Sequence, residues 1–384
     1  MLSMGILTGL ILACTLTSSD LTLSEKVGQL LMTSIYPDEP DDEPDPYLKA
    51  YTPGHLLIVG NGWYPEKEKE LIKRHQSKAK IPYTIAQDLE WGLSQRLKNV
   101  PIFPKNRQLR LCPPSLVEAM GKEIARECRI LGVTLNLSPV IDVVNNPNNV
   151  FLKDRSFGDD PDIVAQLGLA KMRGLSSGKV KSCAKHFPGH GGTELDSHFC
   201  LPVLKRSYKN LKELELIPFQ TLINEGVECI MMAHIHLPLI DPRGQAASLS
   251  PYIIQDILRN EMGFKGLILT DDLLMSAIMN RLTYKDAALL AYKAGNDILL
   301  FTNYQPGGVH RVRDALRDAH EALMEAFEKG VFPIEELNRK VDKILQFKAS
   351  MVSPAEDGEL ITSEALGLSE LLISTFGSGD PAPK

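Results

Sequence analysis

The run Leu267-Ile268-Leu269-Thr270-Asp271-Asp272-Leu273-Leu274-Met275 joins a short, wholly apolar strand signal to two carboxylates at its far end. An aspartate there is costly to bury unless it is hydrogen-bonded or put to use. The same grammar recurs along the chain. Short apolar, β-branched runs occupy residues 30–35, 55–60, 83–88, 133–138, 182–186, 229–235, 267–271 and 297–301. Amphipathic stretches of helical length separate them, among them 114–131, 161–177, 211–225, 251–262 and 284–294. Continuous apolar strands alternating with helices imply a parallel sheet buried on both faces. Eight of them predict an α/β fold, a single (β/α)8 TIM-type barrel. An open doubly wound sheet is the competitor, yet no GxGxxG follows the first strand and opens a helix, as dinucleotide binding would require.

Barrel chemistry sits where strands end and βα loops begin. Polar residues gather there: Asp88 closes the third run, Lys185 and His186 the fifth, His234 and His236 the sixth, Asp271 and Asp272 the seventh. Asp271 is the candidate nucleophile. Asp272, directly before Leu273, reads as a helix N-cap or a supporting residue. His234 and His236 read at least as well as packed structural histidines as pocket-lining ones.

The stretch Lys185-His186-Phe187-Pro188-Gly189-His190-Gly191-Gly192-Thr193-Glu194-Leu195-Asp196-Ser197-His198 contains too much glycine and proline for a regular helix, and so forms a long βα loop. His186 and His190 stand four apart, but a zincin-type pair needs a helix to share one face, which Pro188-Gly189 forbids. No metal site is expected, and no organic cofactor.

Composition narrows the class. Hydrophobic residues make up 43% and charged residues 23% of the chain, values of an ordinary globular protein, and the formal net charge of -6 gives no reason to approach nucleic acid. Six cysteines without a CxxC pattern read mainly as reduced, structural thiols. Residues 1–20 form a candidate signal segment: the apolar start ends in Ile11-Leu12-Ala13-Cys14, which looks like a bacterial lipoprotein signal with Cys14 as the lipid anchor. It lacks a basic n-region and is short of the ~20 residues of a membrane span. A cytoplasmic protein and a membrane-anchored lipoprotein are therefore both open. Residues 21–349 are assigned to the barrel and 350–384 to a partly ordered tail.

Several of these segments, covering roughly residues 23–348, resemble family 3 glycoside hydrolases, and among them the β-N-acetylglucosaminidases that act on peptidoglycan fragments. Residues 185–198 are similar to that family's KHFPGHG…DSH loop, Asp154-Arg155-Ser156-Phe157-Gly158 to its DRSFG, residues 135–143 to its PV.DV segment, Leu249-Ser250-Pro251 to its LSP, and residues 270–275 to its [ST]DDL.M. The resemblance implies a retaining exo-glycosidase that removes terminal β-linked N-acetylglucosamine by double displacement. Asp271 would be the nucleophile, and His198, oriented by Asp196, the acid and base. Asp88, Arg96, Arg155, Lys185 and His186 would bind the non-reducing sugar. Most retaining enzymes use two carboxyl groups, but a near-neutral histidine can also protonate a leaving oxygen and later deprotonate water. The chain departs from the family's D.EGGR pattern in Asp88-Leu89-Glu90-Trp91-Gly92-Leu93, where Trp91 replaces a glycine and Leu93 an arginine. Gly192 stands where the family often has Asp. A sugar- or muropeptide-binding lipoprotein that has lost catalysis, and a β-glucosidase of the same family, are the competing readings.

Overall fold

The computed structural model describes residues 16–37, 46–302, 309–351 and 358–377; Cys14 and the signal-like start through Thr15 lie outside them. Eight parallel strands form one sheet: β1 (Leu31–Ile35), β2 (His55–Ile58), β3 (Thr84–Gln87), β4 (Leu135–Asn136), β5 (Lys181–Phe187), β6 (Cys229–Met232), β7 (Leu267–Thr270) and β8 (Leu299–Phe301). From β1 to β7 each strand pairs with the next in sequence, and β1 also pairs with β8. Backbone bonds from Asp297 and Ile298 to the Ile268 carbonyl, and from Thr270 to the Ile298 carbonyl, bring β7 and β8 together and close the barrel. All eight expected strand positions are borne out, with the single-barrel architecture.

The helices start and stop where side chains satisfy their end groups. Asp160 accepts the N–H groups of Asp162 and Ile163 ahead of the helix Pro161–Ser177, and Thr283 accepts that of Asp286 ahead of Tyr284–Ala294. That second helix closes on Gly295 at φ +112, a left-handed position that glycine adopts without cost. Pro114–Leu131 and Pro161–Ser177 touch backbone to backbone: a Cβ on Gly174 would lie 2.2 Å from the Glu118 carbonyl oxygen. The stretch expected as one helix over 211–225 is two, Tyr208–Lys212 and Leu216–Asn224. Pro218 has no N–H to give the Leu214 carbonyl, so one helix cannot run through. In the tail, Ser363–Phe376 is helical and buries Ala365 and Leu372. Its flanks are tied down by Arg126 donating to the Glu359 and Leu360 carbonyls and by Gln108 donating to that of Gly377. Cys112, Cys128, Cys183 and Cys229 are buried free thiols, and Cys200 is a half-buried one.

The β7–β8 seam depends on a charged side chain. Asp297, buried just ahead of β8, accepts from the Ile268 N–H at 2.8 Å, the Arg259 guanidinium at 2.6 Å and the Lys343 ammonium at 3.0 Å. Burial pushes its carboxyl up, but Lys340, Lys343 and Arg259 outweigh that and hold it below its ordinary value. Removing one member of such a cluster leaves the others uncompensated. Asp297→Ala is expected to lower unfolding stability by about 3 kcal/mol in urea titrations at neutral pH. The folded-state carboxyl titrates lower than the unfolded one, so the wild-type advantage is complete at neutral pH and fades as pH falls through the carboxylate range.

Candidate active site

The barrel's C-terminal mouth is built in tiers. Leu57, Leu137, Met231 and Leu300 come from β2, the end of β4, β6 and β8, so alternate strands contribute one apolar layer, as barrel interiors are commonly packed. Above that layer the intervening strands deliver polar groups: Asp88 just past β3, Lys185 within β5 and Asp271 just past β7. Together they line a cavity of about 280 Å³.

One wall is an ionic network. The buried Lys185 ammonium donates to Asp88 at 2.7 Å and lies 2.9 Å from Glu90. Arg155 clamps the buried Glu90 carboxylate with two guanidinium nitrogens, at 2.9 and 2.7 Å, and Arg96 reaches Asp88 at 3.3 Å. Burial raises the Asp88 carboxyl, but the Lys185 and Arg96 charges dominate and hold it at about 2. Glu90 is likewise kept ionised against its burial by Arg155 and Lys185. Beneath them, the fully buried Lys171 donates to the Glu90 carbonyl; burial pulls its ammonium down to about 7.

A second wall begins with a bulge. Lys185 pairs with Met231 and Phe187 with Met232, so His186 is the extra residue. Successive strand side chains otherwise point to opposite faces, and the bulge lets both Lys185 and His186 line the cavity. Asp142, wholly buried, holds the turn that follows. It accepts His186 Nδ1 at 2.7 Å, the His186 N–H at 3.2 Å and the His190 N–H at 2.6 Å. Further on, a Cβ on Gly191 would lie 2.0 Å from the Val143 carbonyl oxygen, so only glycine fits where the loop crosses that segment. His190 is enclosed, with Nδ1 2.7 Å from Thr193 Oγ and Nε2 3.2 Å from Ser197 Oγ; burial lowers its pKa to about 4.

The loop then carries Asp196 and His198 over the opening. His198 Nδ1 lies 2.6 Å from Asp196 Oδ1, while 53% of the imidazole side chain stays exposed. The Asp196 hydrogen bond, opposed by partial burial and helped by the Asp271 charge, raises the His198 pKa above its ordinary value. Across the cavity, Asp271 is held ionised against its burial by the neighbouring His186, His234 and His198 and by the Asp272 N–H at 2.8 Å.

Asp272 is a brace rather than a helix cap. Residues 273–275 are not helical; the next helix, Ser276–Met279, follows Met275, and Asp272 Oδ1 accepts from the N–H groups of Leu274 and Thr302 at 2.9 Å each. It thereby ties the turn after β7 to the end of β8. Burial, together with Asp271 beside it, pushes its carboxyl up to about 7. His234 is packed, bonded to Ser248 Oγ and the Asp272 carbonyl, and His236 meets the Gln245 carbonyl; both are structural neighbours of the site. Among the described residues no group of three or more His, Cys, Asp or Glu is arranged to hold a metal ion.

Residues 22–347 match the N-terminal domain of glycosyl hydrolase family 3. The chain belongs to that family. This family 3 chain is a glycoside hydrolase and is 33% identical, over 77% of its length, to a β-hexosaminidase of Tolumonas auensis, 89% of which the match spans. It is 39% identical over 51% of its length to one of Neisseria gonorrhoeae, where the match spans 53% of the relative. A solved family 3 β-N-acetylglucosaminidase from Paenibacillus superposes with a TM-score of 0.81 at 30% identity, covering 93% of this chain and 69% of the other.

Seven of the residues singled out in the sequence, Asp88, Arg96, Arg155, Lys185, His186, His198 and Asp271, line the one cavity, and Asp196 is bonded to His198 at its edge. The family 3 chain also places Glu90, Gln95, Phe151, His190 and Thr302 there. Glu90 sits in the same short segment as Asp88, two residues on, and that spacing is the signal that could have found it. Asp142 gave a weaker one, a lone aspartate in an apolar stretch. Asp142→Ala removes the acceptor of three N–H groups and should cost about 3 kcal/mol, read from urea unfolding, whereas Asp142→Asn keeps part of that acceptor and should cost less.

Proposed function

We propose that the chain is a retaining exo-β-N-acetylglucosaminidase that releases terminal N-acetylglucosamine from peptidoglycan fragments, with Asp271 as nucleophile and the His198–Asp196 pair as acid and base. The observation that carries the reading is an ionised carboxylate at the end of β7 and an imidazole of raised pKa sharing one cavity. The names of the similar hexosaminidases support the choice of sugar.

The reaction follows from these groups. The Asp271 carboxylate attacks the anomeric carbon as the bond to the leaving oxygen breaks, and the imidazolium of His198 passes its proton to that oxygen. With Nδ1–H given to Asp196, Nε2 is the nitrogen left for transfer. Neutral His198 then takes a proton from water, whose oxygen attacks the anomeric carbon and frees Asp271. Two inversions leave the configuration retained. The ionised Asp271 and the Asp196 hydrogen bond both stabilise the protonated imidazole, so His198 holds the proton it is to donate. Asp88, Arg96, Arg155, Lys185 and His186 are assigned to the sugar's hydroxyl and N-acetyl groups. Lys185 and Arg96 are paired with Asp88, Arg155 with Glu90, and His186 with Asp142, which holds them in place before substrate arrives.

Hydrolysis of an aryl β-N-acetylglucosaminide tests the assignment. Wild type should release the aryl group, Asp271→Asn should release none while keeping its urea midpoint, and His198→Ala should lose about 10²–10⁴-fold in kcat. A wild-type chain that binds the sugar without releasing the aryl group would replace this reading by the binding-protein one. The pH profile is a separate check. Activity should rise as Asp271 ionises, below the ordinary carboxylate range, and decline only above the ordinary imidazole range as His198 loses its proton. In Asp196→Asn that alkaline edge should move to lower pH; an unmoved edge excludes His198 as the titrating acid.

A further inference from the structure

Trp91 follows Glu90 in the turn after β3, and its surroundings give it a defined place. The cavity is closed at its floor by the apolar layer of Leu57, Leu137, Met231 and Leu300, so a chain-terminal sugar enters end-on and whatever it is joined to must remain at the rim. Trp91 lines the cavity yet is only half buried, as expected of a rim residue. It is fixed on both sides along the chain. Glu90 before it is clamped by Arg155 and Lys185, and its carbonyl accepts from Lys171. After it, Gly92 turns at φ +93, where a Cβ would press on Phe103 at 3.0 Å, and Leu93 is wholly buried. The Lys105 ammonium sits over the indole, 5.7 Å from the ring centroid, and is itself held by Asp154 at 2.7 Å. Asp154 adjoins Arg155, so the segment that clamps Glu90 also braces the indole.

From this we infer that Trp91, braced by Lys105, is a platform for the pyranose ring on the leaving-group side of the scissile bond, and so determines which aglycones the enzyme accepts. The inference rests on the glycosidase reading above and adds to it the residue that recognises the aglycone. A rigid aromatic surface offers area to a sugar ring at little entropic cost. Binding energy gained there, away from the reacting carbon, is available to lower the barrier of the bond-breaking step.

The test compares two substrates that share the glycone: N,N′-diacetylchitobiose, whose aglycone is a sugar ring, and N-acetyl-β-D-glucosaminyl fluoride, which has no aglycone ring. Trp91→Ala should cut kcat/KM for the disaccharide about tenfold and change that for the fluoride less than about twofold. Trp91→Phe should recover much of the loss. Lys105→Ala, a surface change, should reproduce a smaller loss confined to the disaccharide, and serves if Trp91→Ala does not fold. Equal losses on both substrates, or none on either, overturn the platform while leaving the glycosidase assignment standing. A folded wild type inert toward both substrates overturns the glycosidase reading itself, and the platform with it.

Discussion

The site depends on keeping the Lys185 ammonium charged inside the barrel mouth. An isolated ammonium buried to that degree would shed its proton, because desolvation penalises the charged form by several kcal/mol. Asp88 and Glu90 at the end of β3 reverse that balance. They in turn are compensated by Arg96 and Arg155, so that β3, β5 and the loop before the helix Pro161–Ser177 meet in one alternating array of charge. Such an array adds little net stability over an apolar filling, but it fixes geometry, since any displacement leaves a charge unpaired. The polar groups proposed to meet the sugar are thus held in position by one another.

The two carboxylates after β7 show how environment separates like residues. Asp271 has three histidines for neighbours and remains ionised, while Asp272 is engaged by backbone N–H groups and burial raises its carboxyl to about 7. One is the proposed nucleophile, and the other holds the turns after β7 and β8 in register. The His198 loop follows a similar division. Its start is locked by Asp142 and by the close approach at Gly191, whereas its far end, with Phe199 77% exposed beside His198, lies open to solvent. A firm base and an accessible tip suit the acid and base role proposed for His198.

The barrel was legible along the chain because strand alternation is a local property: an apolar run buried on both faces needs no distant partner to be recognised. The positions of Asp88, Lys185, His186 and Asp271 at run ends followed from the same pattern. Where a local rule met a specific side chain, the reading failed or stayed open. Pro218 divides one expected helix, and of the two roles open to Asp272, cap or support, its bonds to Leu274 and Thr302 select support.

Sequence alone therefore determined the order of the elements, their parallel arrangement and which run ends carry polar groups, since each depends on neighbours a few residues away. Only the tertiary structure decided which of those groups share a cavity, and which carboxylate is ionised. Glu90 and Asp142 illustrate the reason. Their roles come from partners 65 and 44 residues away, Arg155 and His186. Such distances carry no period in the chain, and barrel closure alone brings the partners within hydrogen-bonding reach.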